Sequence, residues 1–106
     1  MTLVSQAWTD RQRARFGRLH RQACQARIEH LVHIGAVAEA IAAARAWVVV
    51  EPFDDEVQHR LIELLAGSGK RAEALAQYQR YERLLAAEEL EPLEETKALV
   101  APLRTW

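Results

Sequence analysis

Four histidines and one cysteine are the residues of this chain best suited to holding a metal ion: His20, Cys24, His30, His33 and His59. His30 and His33 stand three residues apart, a workable spacing for two ligands on one helix. No second pair of ligands at matching spacing accompanies them, and a lone small cysteine on a helical stripe more often fills a core. Neither a metal nor any other cofactor is expected. Covalent catalysis is served no better. Ser5 and Ser68 fall in a tail and a turn, no nucleophile stands beside an obvious base, and no glycine-rich phosphate loop occurs. The chain does not read as an enzyme.

Charge offers more. Arg11, Arg13, Arg15, Arg18, Arg21 and Arg27 share one stretch with a single acidic residue, Asp10, while acidic clusters follow at Glu51–Glu56 and Glu88–Glu95. The plainer reading is charge complementarity on solvated surfaces, within the chain or between chains. The sharper one puts Arg11, Arg15 and Arg18 against DNA phosphates or an acidic partner, which would show as salt-sensitive affinity without base preference. A formal net charge of −1 argues against coating nucleic acid by bulk electrostatics. The longest apolar run, Ala46–Val50, is five residues, far short of a membrane span. The opening "MTLVSQAWTDRQRAR" lacks the apolar core of a secretory signal. A cytoplasmic location is the default expectation.

The elements that must position these residues are punctuated by Pro52, Pro92 and Pro102 and by Gly17, Gly35, Gly67 and Gly69. They predict five helices and no strand. The first runs from about Trp8 to Ile34, with Thr9 or Asp10 as N-cap and Gly17 weakening it by about 1 kcal/mol relative to alanine. The second covers about Val37–Glu51, with Val37, Ile41, Ala44 and Val48 on one stripe. Asp54 or Asp55 caps the third, which runs to about Ala66 and buries Val57, Leu61, Leu64 and Leu65. The fourth spans about Arg71–Glu89 and buries Ala72, Leu75, Tyr78, Tyr81 and Leu85. A closing helix of about Glu94–Leu103 carries Leu99, Val100 and Leu103.

Two octets, "GAVAEAIA" at 35–42 and "GKRAEALA" at 69–76, match at a distance of 34 residues. That is the period of tetratricopeptide repeats, in which each helical hairpin buries its face only by stacking on its neighbour. Gly35 and Gly69 then turn the chain between antiparallel helices, and Ala40 and Ala74 sit where the helices press closest. The repeat units fall at about 21–54 and 55–88, within one all-α domain covering 1–106. Trp47 is expected in the core between hairpins, Trp8 against residues outside the chain, and Trp106 either exposed, left at a truncated end, or in a dimer contact. In such a stack the first helix of each pair lines a concave face. The register places Gln22, Gln25, Glu29 and His33 there from the first helix, and His59 and Glu63 from the third. Glu29/His33 and His59/Glu63 are i,i+4 pairs able to make surface hydrogen bonds. The same face could receive a peptide segment or another domain. Apolar surface left open at the two ends would favour a homodimer.

The downstream residues carry a resemblance. Pro52–Phe53 precede an acidic helix start, Asp54, Asp55 and Glu56. His59, Arg60 and Ile62 follow, then a small-residue turn, then Ala74, Leu75 and Tyr78. Leu85, Glu89–Leu90, Glu91–Pro92 and Glu95–Thr96 complete the pattern. In these features the chain resembles the bacterial transcriptional activator domain of antibiotic-regulatory-protein-type transcription factors, over nearly its whole length. The family usually has glycine before its "VEP" and a serine capping the last helix. Here the text is "EELEPLEE", with Leu93 at the cap. The resemblance implies a tetratricopeptide-like domain that follows a winged-helix DNA-binding domain and serves self-association and contact with the transcription machinery. No winged-helix pattern is visible, so the chain is expected to be a piece of a larger regulator, with Met1 not necessarily its native start. The alternative is a repeat scaffold whose protein partner has nothing to do with transcription.

Overall fold

Five helices follow one another in the computed structural model, which describes residues 2–105, with side chains from Thr9 to Thr105. They are α1 (Thr2–His33), α2 (Val37–Val50), α3 (Asp55–Gly67), α4 (Arg71–Ala86) and α5 (Glu94–Arg104). No strand occurs among the described residues.

The turns that fold the chain back are built twice in the same way. Gly35 and Gly69 take φ of 80° and 81°, a left-handed conformation that a residue without Cβ adopts at little cost. In the first turn Gly35 N–H donates to Val32 O at 3.0 Å and Ala36 N–H donates to Leu31 O at 2.8 Å. In the second, Gly69 N–H donates to Ala66 O at 3.1 Å and Lys70 N–H donates to Leu65 O at 2.9 Å. Each partner is the earlier one displaced by 34 residues. Both are Schellman closures, which satisfy the last carbonyls of one helix while launching the next. Neither α2 nor α4 has a side-chain N-cap. Their first helical bonds, Ala40 N–H to Ala36 O and Ala74 N–H to Lys70 O, start directly from the turn. Ala40 and Ala74 themselves are fully buried.

Packing is sequential: α1 on α2, α2 on α3 and α3 on α4, with α5 closing over both α3 and α4. The core gathers Ile28 and Leu31, then Ile41, Ala44 and Trp47, then Val57, Leu61, Ile62, Leu64 and Leu65, with Tyr78 and Val100. Trp47 is buried, as the repeat register expects. A thread of buried amides crosses this core. Gln58 Nε2 donates to Pro52 O, and Gln77 Nε2 donates to Gln58 Oε1, both at 2.9 Å. With each amide given a partner, burial carries no large desolvation penalty.

Several boundaries differ from expectation. The first helix begins at Thr2, so Thr9 and Asp10 lie within it rather than at its N-cap. No glycine or proline precedes Gly17, and nothing in that stretch stops the backbone ladder. Ala72 is exposed, because it sits two residues, or about 200°, around the helix from the buried Ala74. Leu75 is only partly buried. The fourth helix ends at Ala86, short of Glu89. It is stopped by a third left-handed closure, in which Glu89 takes φ 59° and Leu90 N–H donates to Leu85 O at 2.9 Å. The readings for Met1, the Trp8 side chain and Trp106 fall outside the described residues.

At 32 residues α1 is about 48 Å long at 1.5 Å per residue, and Ile28 is its first core residue. The N-terminal half therefore projects beyond the hairpins. Phe16 is 68% exposed and Leu19 50%.

Candidate interaction face

Between α1 and α3 the backbones never come within 8 Å of each other over any stretch, although both pack on α2. The gap is a cavity of about 440 Å³, walled by Gln25, Ile28 and Glu29 from α1 and by Glu56, His59, Arg60 and Glu63 from α3, with Trp47 of α2 beneath. Long polar side chains span it. Gln25 Nε2 donates to Glu56 Oε1 at 2.6 Å, and an Arg60 nitrogen donates to Glu29 Oε1 at 2.5 Å. The same guanidinium also pairs with Glu63.

The start of α3 explains how the rim is held. Asp54 is the N-cap, its Oδ1 accepting from the backbone N–H of Glu56 at 3.1 Å and of Val57 at 3.4 Å. Its other oxygen accepts from Arg21, whose second nitrogen donates to Glu56 Oε2 at 3.0 Å. The Arg21 guanidinium lies 5.9 Å from the Trp47 ring centroid, within cation–π range. One arginine of α1 is thus tied to the cap, the first turn and the floor aromatic.

Behind the cavity, Asp55 joins three helices. Its carboxylate accepts from Tyr81 OH of α4 at 2.8 Å, from Thr96 Oγ1 of α5 at 2.6 Å and from Leu93 N–H at 3.2 Å. Leu93 has no capping side chain of its own, so α5 starts on a carboxylate supplied from α3. Burial and then the bond to Asp55 push the Tyr81 phenol well above its ordinary pKa. Thr96 has a single hydroxyl proton and gives it to Asp55. Its oxygen is left to accept from His59 Nδ1, 3.1 Å away. That fixes the neutral imidazole with its proton on Nδ1 and its lone pair on Nε2, 3.9 Å from Glu63 Oε2.

Of the six residues expected on the concave face, Gln25, Glu29, His59 and Glu63 line this cavity. Gln22 and His33 are exposed and do not. The expected Glu29/His33 pair gives way to Glu29/Arg60, since a guanidinium is always charged and an imidazole is not. The His59/Glu63 approach is present at 3.9 Å. Ile28, Trp47, Glu56 and Arg60 were not expected on this face. The 34-residue register carries Gln22 onto Glu56 and could have found it; Arg60 falls opposite Ala26 and has no such signal. Arg11, Arg13, Arg15 and Arg18 are exposed on the projecting half of α1, with no ion pair among the described residues. Arg21, by contrast, is consumed within the fold.

His20 and Cys24 meet at 3.7 Å between Nε2 and Sγ. No group of three or more histidine, cysteine, aspartate or glutamate side chains among the described residues is arranged to hold a metal ion. No described helix is long and apolar enough to cross a membrane.

No solved structure matches the chain significantly. Regulatory protein AfsR of Streptomyces griseus is 33% identical over 81 residues, which cover 76% of this chain and 8% of the relative. The chain thus spans less than a tenth of that relative's length. The model of the bacterial transcriptional activator domain matches residues 1–104. The chain belongs to the bacterial transcriptional activator domain family.

Proposed function

We infer that this domain acts as a protein-docking module of a transcriptional regulator, and that the groove between α1 and α3 receives the partner. DNA is read by a domain outside this chain. The observation that carries the reading is the groove itself. Ile28 and Trp47 form an apolar floor, charged side chains form the rim, and the first helices of two stacked hairpins form rigid walls. Such concave, partly apolar sites with a few placed polar groups are where partners gain affinity without much loss of conformational freedom. The partner is another domain of the same regulator or a component of the transcription machinery. No catalytic step is assigned to the domain.

The reading is tested by installing a photo-crosslinking amino acid at Gln25 in the full regulator, with Arg83 on exposed α4 as control. An adduct to a transcription component or to another domain of the regulator, from position 25 and not from 83, supports it. An adduct to a protein outside transcription identifies a generic scaffold. Adducts from position 83 alone contradict the assignment of the groove.

Self-association is a second reading, favoured by Phe16 and Leu19 on the projecting helix and by Val49, 80% exposed, on α2. Sedimentation of the wild-type chain beside F16S and V49S variants decides it. A third, contact of Arg11, Arg15 and Arg18 with phosphates, requires DNA affinity that falls with salt and is lost on replacing the three with glutamine.

A further inference from the structure

Resting on the reading of the α1–α3 groove as the docking face, we propose that the groove is selective for a basic side chain, the ammonium of a lysine or the guanidinium of an arginine, projecting from the partner. Three observations converge. The charged residues lining the cavity are Glu29, Glu56 and Glu63 against the one cation Arg60, and Arg21 beside it pairs with Glu56, which leaves one negative charge in excess. Arg60 is already divided between Glu29 and Glu63, so an incoming carboxylate would have to displace one of them. Second, the Asp55–Thr96–His59 chain aims the Nδ1 proton at Thr96 and turns Nε2, the lone-pair nitrogen of the uncharged tautomer, toward Glu63 Oε2 at 3.9 Å. Two acceptors face each other with no proton to share, and a donor carrying several N–H groups satisfies both at once. Third, the floor is Trp47, an aromatic surface that already carries one guanidinium, that of Arg21, at 5.9 Å. Its indole and Ile28 would cover the methylene stem of a lysine or arginine while the head reaches the carboxylates.

The experiment follows the ¹⁵N–¹H spectrum of the domain at pH 8 during titration with four blocked pentapeptides, acetyl-Gly-Ser-X-Ser-Gly-amide. X is lysine, arginine, glutamate or norleucine. The lysine and arginine peptides are expected to shift the Glu29, His59 and Glu63 amides and the Trp47 indole saturably, with at least tenfold higher affinity than norleucine. The E29Q/E63Q double variant is expected to remove that preference. Both side chains are well exposed, at 65% and 46%, so the fold survives the change. Arg60→Gln, which removes the competing cation, is expected to tighten lysine binding severalfold, whereas a purely structural role for Arg60 predicts weakening or no change. Equal binding of norleucine and arginine, or no shift with either basic peptide, overturns the proposal. Tighter binding of the glutamate peptide in the groove overturns the chemistry while leaving the groove as docking face. Failure of the docking reading itself is seen separately, in the crosslinking from position 25.

Discussion

Glu89 holds φ at 59°, a conformation that costs an ordinary side chain about 1 kcal/mol and costs glycine almost nothing. It closes α4 with the same hydrogen bonds that Gly35 and Gly69 make in the two earlier turns. The family usually puts glycine before its "VEP", and this is the position where the backbone calls for one. Glu89→Gly is therefore expected to raise stability by about 1 kcal/mol in urea unfolding. Asp55 has the opposite character. Its removal by Asp55→Ala strands the Tyr81 and Thr96 hydroxyls and the Leu93 N–H, at about 3 kcal/mol in the same assay. Tyr81 also sets a pH dependence. Its folded pKa is raised above the unfolded value of about 10, so the contribution is complete below pH 10. Above that pH the unfolded chain loses a proton that the folded chain retains, and stability falls as pH rises. Tyr81→Phe is expected to be less stable at neutral pH and to show a shallower alkaline decline between pH 10 and 11.

At the scale of the helix, the alanines at the crossings and the long arm of α1 make contrasting demands. Ala40 and Ala74 have no exposed surface, and a leucine at either has to push α2 or α4 off its partner. Each substitution is expected to lower stability by about 1–3 kcal/mol, while Ala42→Leu on the exposed side of α2 changes it little. Before Arg21, α1 buries no described side chain fully and meets the end of α2 only loosely, with Ala14, Gly17 and Arg18 beside Trp47 and Glu51. It relies largely on local propensity, which leaves a lone helix marginal in water. Amides of residues 13–18 are expected to exchange with deuterium at least tenfold faster than those of Ile28 and Leu31. Equal protection along the whole helix would mean that something covers the arm.

For the whole molecule, legibility in the sequence divides along the range of the interaction. The glycine turns, the Asp54 cap, the α3 core face and the buried alanines follow from local chemistry or from the 34-residue self-match, and all are found in place. The bonds that build the groove were not legible. Arg21–Asp54, Gln25–Glu56 and Glu29–Arg60 join residues 31 to 33 apart, and Asp55–Thr96 joins residues 41 apart. Whether such side chains meet depends on how far one hairpin is rotated on the next, which periodicity within a helix does not record. The N-terminus of α1 differs from expectation for a simpler reason. Thr9 and Asp10 are good capping residues, but nothing upstream of them ends a helix. The burial of Gln58 and Gln77 is equally illegible, because each looks like a solvated residue until its partner is known.

A groove between α1 and α3 that serves as the working surface is tested most directly by carboxylate footprinting read by mass spectrometry. The full regulator is labelled alone and in its assembled promoter complex. Glu29, Glu56 and Glu63 are expected to lose at least half of their labelling on assembly, while Glu73 and Glu82 on α4 keep theirs. Unchanged labelling of the three groove carboxylates, with protection confined to α4, would contradict it.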